Sequence, residues 1–170
     1  MGYAALAAAW NASPTPPTGV SGSSLTGLTT AQKIAAVNAW TVAGPPQDVT
    51  AQAIINYLFL NMKYSNLQAY ASNPPAGSVA NFPQSVATAK ELLALFTTPS
   101  FSGFQMSNPT IYTAAEAFLG ALAADSATGI SSTDAANLLA LSATTIPWWQ
   151  SIGLTSPVSA PDLMAAGGLI

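Results

Sequence analysis

Nine of the 170 side chains carry charge, the lysines at 33, 63 and 90 and the carboxylates Asp48, Glu91, Glu116, Asp125, Asp134 and Asp162. Apart from tyrosines these are the only acid/base groups, because the chain has no histidine and no cysteine. That excludes a Ser-His-Asp triad, a cysteine nucleophile, a zinc site of the usual nitrogen and sulfur type, and a haem held by His or Cys. A Ser-Lys dyad of the Ser-x-x-Lys kind is absent, since Thr30, Leu60 and Ala87 stand three before the lysines. Gly19-Val20-Ser21-Gly22 lacks the following Lys-Ser/Thr of a phosphate-binding loop. Glu91 and Glu116 fall on two predicted helices, and a glycosidase-like pair would need them facing one cleft at roughly 5–10 Å. Nothing else in the sequence suggests a sugar-binding cleft. Asp48, Asp134 and Asp162 stand at predicted helix starts, where a negative charge offsets the helix dipole by about 0.3–1 kcal/mol. No catalytic, cofactor-binding or metal-ligating residue is expected, and the chain is read as non-enzymatic.

The locally unusual stretch is Thr145-Ile146-Pro147-Trp148-Trp149-Gln150. Paired tryptophans offer stiff apolar area with two N–H donors, suited to capping a core, anchoring a protein interface or stacking on sugar rings. A second apolar element is the arm from Met1 to Trp10, which has high helix propensity and is apolar almost all round, so it needs a partner surface. It docks either on its own domain or on a neighbour. Tyr3, Leu6, Trp10, Trp148 and Trp149 are therefore the interface candidates.

Only 5% of the residues are charged, the net charge is −3 and the mean hydropathy is +0.38. A folded monomer of this mass exposes roughly 7,800 Å², about 870 Å² for each charged group. Most of the exterior is then neutral. No arginine and three lysines leave no electrostatic footprint for nucleic acid. No apolar run approaches the roughly 18 residues of a spanning helix, and the missing basic face argues against insertion as an amphipathic helix. The first residues carry no basic stretch of a secretion signal and no myristoylation motif, so no export or anchor signal is expected.

The elements that must position these residues are helices. Thr29 with Gln32, Asn81 with Gln84, Ser131 with Asp134 and Ser159 with Asp162 have capping-box spacing. Asp48 is placed to cap a helix entering at Val49, and Asn108 precedes a proline at a first helical position. Breakers stand at Gly44-Pro45-Pro46, Asn73-Pro74-Pro75, Thr98-Pro99, Gly129, Gly153 and Gly167-Gly168. Helices are predicted near Ala31 to Trp40, Val49 to Met62 with a short continuation to Ala71, Phe82 to Thr97, Pro109 to Ala124, Ser132 to Thr144 and Ala160 to Ala166. Ile54, Leu58 and Met62 fall four apart, and no run alternates with period two for long. The expected fold is all-α, a compact bundle of five to six short helices with an N-terminal arm and a Trp-containing C-terminal loop. Residues 1–28 are read as the arm and a linker rich in Pro, Ser and Gly, including Ser13-Pro14, and 29–170 as the helical domain.

Thr29-Thr30-Ala31-Gln32-Lys33-Ile34-Ala35-Ala36-Val37-Asn38-Ala39-Trp40, together with Thr145-Ile146-Pro147-Trp148-Trp149 leading through Gly153 to Thr155-Ser156-Pro157 and Asp162-Leu163, resembles small structural proteins of tailed bacteriophages. The resemblance implies a virion component of head, neck or tail, present in the host cytoplasm during assembly, and carries over no catalytic or ligand residues. A repeated assembly covers neutral faces in many identical contacts, whereas a free monomer this poor in charge is prone to associate. The expected partners are other copies of the chain or a larger virion protein, with no nucleic acid and no stable membrane insertion. The alternatives are a surface glycan-binding module built on Trp148 and Trp149, a membrane-active protein released during infection and, last, a hydrolase.

Overall fold

The computed structural model describes residues 2–12 and 15–167 and is mostly helical. In chain order the elements are α1 (Gly2–Ala12), β1 (Val20–Ser21), α2 (Thr30–Ala39), β2 (Thr41–Ala43), β3 (Val49–Thr50) and α3 (Ala51–Leu60). There follow α4 (Lys63–Ser72), α5 (Ala76–Asn81), α6 (Pro83–Thr97), β4 (Gly103–Phe104) and α7 (Pro109–Ala124). A 3₁₀ turn (Ser126–Thr128), α8 (Ser132–Ala140), β5 (Thr145–Pro147), α9 (Trp148–Ser151) and α10 (Ala160–Ala165) complete the order. Met1, Ser13, Pro14 and Gly168, which belong to the expected arm, linker and last breaker, lie outside the described residues.

Two findings correct the all-α expectation. The described residues form two small antiparallel sheets, β1-β2-β5 and β3-β4. Val42 faces Val20 on one side and Ile146 on the other, and Val49 faces Phe104. These strands have two or three residues each, rich in Val, Thr and Ile, and they pair backbone groups that loops leave unsatisfied. The helices are also more numerous than expected, ten among the described residues. The predicted helix from Val49 breaks after Leu60, and α5 and α9 are single short helices between prolines and glycines.

Two compact units make up the chain, Met1–Pro45 with Thr144–Ile170 and Pro46–Ala143. This division differs from the expected one between 1–28 and 29–170: the first unit takes in the N-terminal segment, α2 and the C-terminal segment.

The first unit is built around tryptophan. Trp40 is fully buried, donates its indole N–H to the Ser23 carbonyl at 2.9 Å and meets Trp148 edge-on with ring centroids 5.4 Å apart. Leu6, Ala9, Leu25, Val37, Val158 and Leu163 complete this core. A Cβ on Gly22 would collide with the Trp40 ring, so the linker backbone lies directly against the indole. Asn38 holds Val158 through both backbone groups, accepting from its N–H at 2.6 Å and donating to its carbonyl at 2.9 Å.

The second unit packs α3, α4, α6, α7 and α8 around Leu58, Leu67, Ala89, Leu92, Leu122 and Ile130. Gly103 has φ +142°, and a Cβ there would strike the Val49 carbonyl, so glycine permits the close approach of β4 to β3. Thr88 on α6 is fully buried, and its hydroxyl has no hydrogen-bond partner among the described residues. A buried orphan hydroxyl keeps its desolvation penalty. Thr88→Val, which retains the shape, is therefore expected to raise unfolding free energy by about 1 kcal/mol in urea titrations.

Candidate functional site

Cap chemistry accounts for three of the six carboxylates, Asp125, Asp134 and Asp162. Thr29, Asn108, Ser131 and Ser159 sit at helix starts as expected, with capping boxes at Thr29, Ser131 and Ser159. Two expected caps are corrected. Phe82 stands at the start of α6 with no side-chain cap, because Asn81 ends the preceding helix and Pro83 opens the next. Thr50, not Asp48, caps α3, and the Asp48 carboxylate instead accepts from the N–H and hydroxyl of Ser107 at 3.0 and 2.6 Å. Those bonds hold its pKa below the ordinary value.

The second unit contains two buried polar clusters that are invisible to local reading. Asp134 pairs with Lys63 at 2.9 Å, accepts from the Tyr57 hydroxyl at 3.1 Å and closes the cap on Ser131. Lys63 also donates to the Gly129 carbonyl at 3.0 Å. Burial pushes the Asp134 carboxyl up, but Ser131, Lys63 and Tyr57 together outweigh it and hold the group far below the carboxylate range. Asp125 is buried beside Tyr70, whose hydroxyl donates to it at 2.8 Å, and caps the 3₁₀ turn through the Ala127 N–H at 3.0 Å. Here too burial acts upward, and the bonds from Ser78, Ala127 and Tyr70 prevail and lower its pKa. Both clusters are satisfied by the fold itself. Glu91 and Glu116 are exposed on α6 and α7. Among the described residues no group of three or more potential ligands could hold a metal, and no helix is long and apolar enough to cross a membrane.

The expected interface candidates separate by burial. Leu6 and Trp148 are core residues of the first unit, at 0% and 4% exposure. Both owe this to tertiary packing, Leu6 to α1 lying against α10 and Trp148 to its edge contact with Trp40. Trp10 is half-buried with the Lys33 ammonium 5.5 Å from its ring centroid, and Trp149 is half-buried as well. Tyr3 is exposed and donates to Asp162 at 3.2 Å. With Trp148 enclosed, the two indoles do not form a paired exposed platform.

The two most exposed large apolar side chains among the described residues, Leu60 and Met62, lie elsewhere, at the end of α3 beside the exposed Phe59, whereas Met164, also exposed, stands apart on α10. Phe59, Leu60 and Met62 are 59%, 83% and 78% exposed. Met62 stands in register with Ile54 and Leu58 only if the helix continues, but α3 stops at Leu60 and Met62 adopts a left-handed conformation, φ 56°, that turns the chain into α4. Phe59 and Leu60 follow Leu58 at about 100° and 200° round the helix, on the side of Gln52 and Asn56. That offset is legible in the sequence once Ile54 and Leu58 define the inner face. Phe59 stacks on Tyr64 with centroids 4.4 Å apart, and a row of rings continues through Phe96 and Phe101 to Phe104.

Phe104 also borders an apolar cavity of about 230 Å³ within the second unit, walled by β3, β4, α3, α6, α7 and α8. Comparison of the chain with protein-family models, with curated proteins and with solved structures finds no match.

Proposed function

We propose that this protein is a non-enzymatic subunit of a repeated assembly that acts through protein–protein contacts. The resemblance of the Thr29–Trp40 and Thr145–Trp149 segments to structural proteins of tailed phages supports reading that assembly as a virion. The observation that carries the reading is the contiguous exposure of Phe59, Leu60 and Met62 in a surface nearly empty of charge. Folding depletes that surface further: of nine charged residues, Asp125 and Asp134 are buried, and Lys33, Lys63 and Asp162 are half-buried. Only Asp48, Lys90, Glu91 and Glu116 are left exposed, all in the second unit. Grouped exposed apolar side chains mark contact surfaces, and few charges oppose association here. The contact is thus assigned to the α3 end, with the stacked Tyr64 and Phe96 rings as a stiff backing.

The test is the mass of the isolated chain in solution. Native mass spectrometry and sedimentation of the parent are expected to show a multiple of 17.2 kDa. The double substitution Leu60→Lys with Met62→Lys reduces it to one chain, with an unchanged circular dichroism spectrum. Since both side chains face solvent, their replacement alters stability by no more than about 0.5 kcal/mol. A parent that stays single at high concentration, or a double variant that assembles as the parent does, rejects the proposal.

A further inference from the structure

We infer that the cavity of the second unit is a binding site for a small, uncharged, apolar molecule with about the bulk of an alkylated benzene. This inference is independent of the assembly role. At about 230 Å³ the space is smaller than the roughly 300–1,000 Å³ of drug-sized sites. A dry apolar cavity of about 150 Å³ holds benzene, six carbons, so in proportion this one suits about nine heavy atoms.

Chemistry of the lining narrows the occupant further. Eleven of the twelve lining side chains are apolar, Val49, Ile54, Leu92, Phe118 and Leu138 among them. The exception is Thr110, an exposed residue in the first turn of α7 whose N–H is already taken by the Asn108 side chain at 3.0 Å. A stable internal water needs two to four polar partners, which this lining does not supply. A carboxylate or ammonium would be desolvated without a counter-charge. Neutral hydrocarbon, with at most one polar group at the Thr110 end, is what the surface accepts.

The space is maintained by its walls. They come from six elements, with β4 held against β3 through Gly103, so closing the gap would require several of them to move together. On α7 the small residues next to the gap are the half-buried Ala115 and, at the rim, the exposed Ala114, where a leucine would fill it. Thr110 and Ala114 are exposed while Ile111, Phe118 and Leu119 are half-buried, so the lining reaches the surface along α7 and offers a way in.

Isopropylbenzene titrated into the full chain is the test, read by the methyl resonances of Ile54, Leu92, Met106 and Leu138. Saturable shifts of these methyls are expected, with Tm rising by about 3 °C at about five times Kd. Ala115→Leu, and separately Ala114→Leu at the rim, are expected to weaken binding by at least about tenfold. Isopropylbenzoate is expected to leave the methyls unmoved. The inference is overturned if isopropylbenzene causes no shift up to its solubility limit, if both leucine variants bind as the parent does, or if the benzoate binds equally well.

Discussion

Trp40→Ala is expected to lower the unfolding free energy of the first unit by about 3–5 kcal/mol, the range for truncating a large buried aromatic. Trp40 is fully buried among Leu6, Leu25, Val37, Val158 and Leu163, so its removal strips contacts from α1, the linker and the C-terminal segment at once. It also leaves the Ser23 carbonyl without its indole donor and removes the edge contact to Trp148. The result is convenient to read. All four tryptophans, at 10, 40, 148 and 149, lie in the first unit, so indole fluorescence during urea unfolding follows that unit alone. The midpoint is expected to fall sharply, and Trp40→Phe, which keeps most of the apolar bulk, to restore more than half of the loss. An alanine variant within about 1 kcal/mol of the parent would contradict the central place given to this ring.

Asp134→Ala carries the second large effect, about 3 kcal/mol at neutral pH, through three losses at one side chain. The cap on α8 loses its acceptor, the Tyr57 hydroxyl loses the acceptor of its proton while keeping the Asn137 amide as a donor, and the Lys63 ammonium is left with the Gly129 carbonyl but no counter-charge. Lys63 retains 25% side-chain exposure, which keeps the figure at the lower end of the range for a broken buried pair. The pH dependence follows from the lowered pKa of Asp134. In the unfolded chain the carboxyl ionises near its ordinary value, while the folded protein keeps it ionised at lower pH. Its contribution is therefore complete above about pH 5 and is lost as the pH falls below about 4 toward the folded pKa. The gap between parent and Asp134→Ala, followed by far-ultraviolet circular dichroism because the second unit has no tryptophan, should shrink over that acidic interval. A gap that is constant from pH 7 to pH 2.5 would show that the charge on Asp134 contributes nothing.

Most helices were legible because their signals are local. Pro109 to Ala124 is a helix from end to end as predicted, since Asn108, Pro109 and the Ala-rich run act within a few residues of one another. The same holds for Thr29 with Gln32 and for Ser131 with Asp134. The misread positions were decided by a distant group at Asp48 and by the placing of helix ends at Asn81 and Met62. Asp48 had the spacing of a cap, yet Ser107, 59 residues away, supplies two donors and Thr50 takes over the cap. Met62 had core spacing, yet the chain turns at Asn61 and Met62 and sends the side chain outward.

The candidate surfaces divide in the same way. Aromatic content made Trp148 and Trp149 prominent, but whether a tryptophan faces water depends on what else arrives, and Trp40 reached Trp148 from 108 positions away. The apolar run Ile54 to Leu60 announced a buried helix, and its inner face is buried. Its outer face leaves Leu60 largely exposed and Phe59 covered on one side only, by the Tyr64 ring.

The sequence by itself determined the helical character, the helix starts at Thr29, Asn108, Ser131 and Ser159, the scarcity of charge and the absence of histidine and cysteine chemistry, because each is written in composition or in contacts spanning one turn. Tertiary structure alone decided where strands of two or three residues pair, which charges are buried, which aromatic rings face solvent and where a cavity remains. Those outcomes depend on pairing and packing between segments far apart in the chain, and their free energies appear only when both partners are in place.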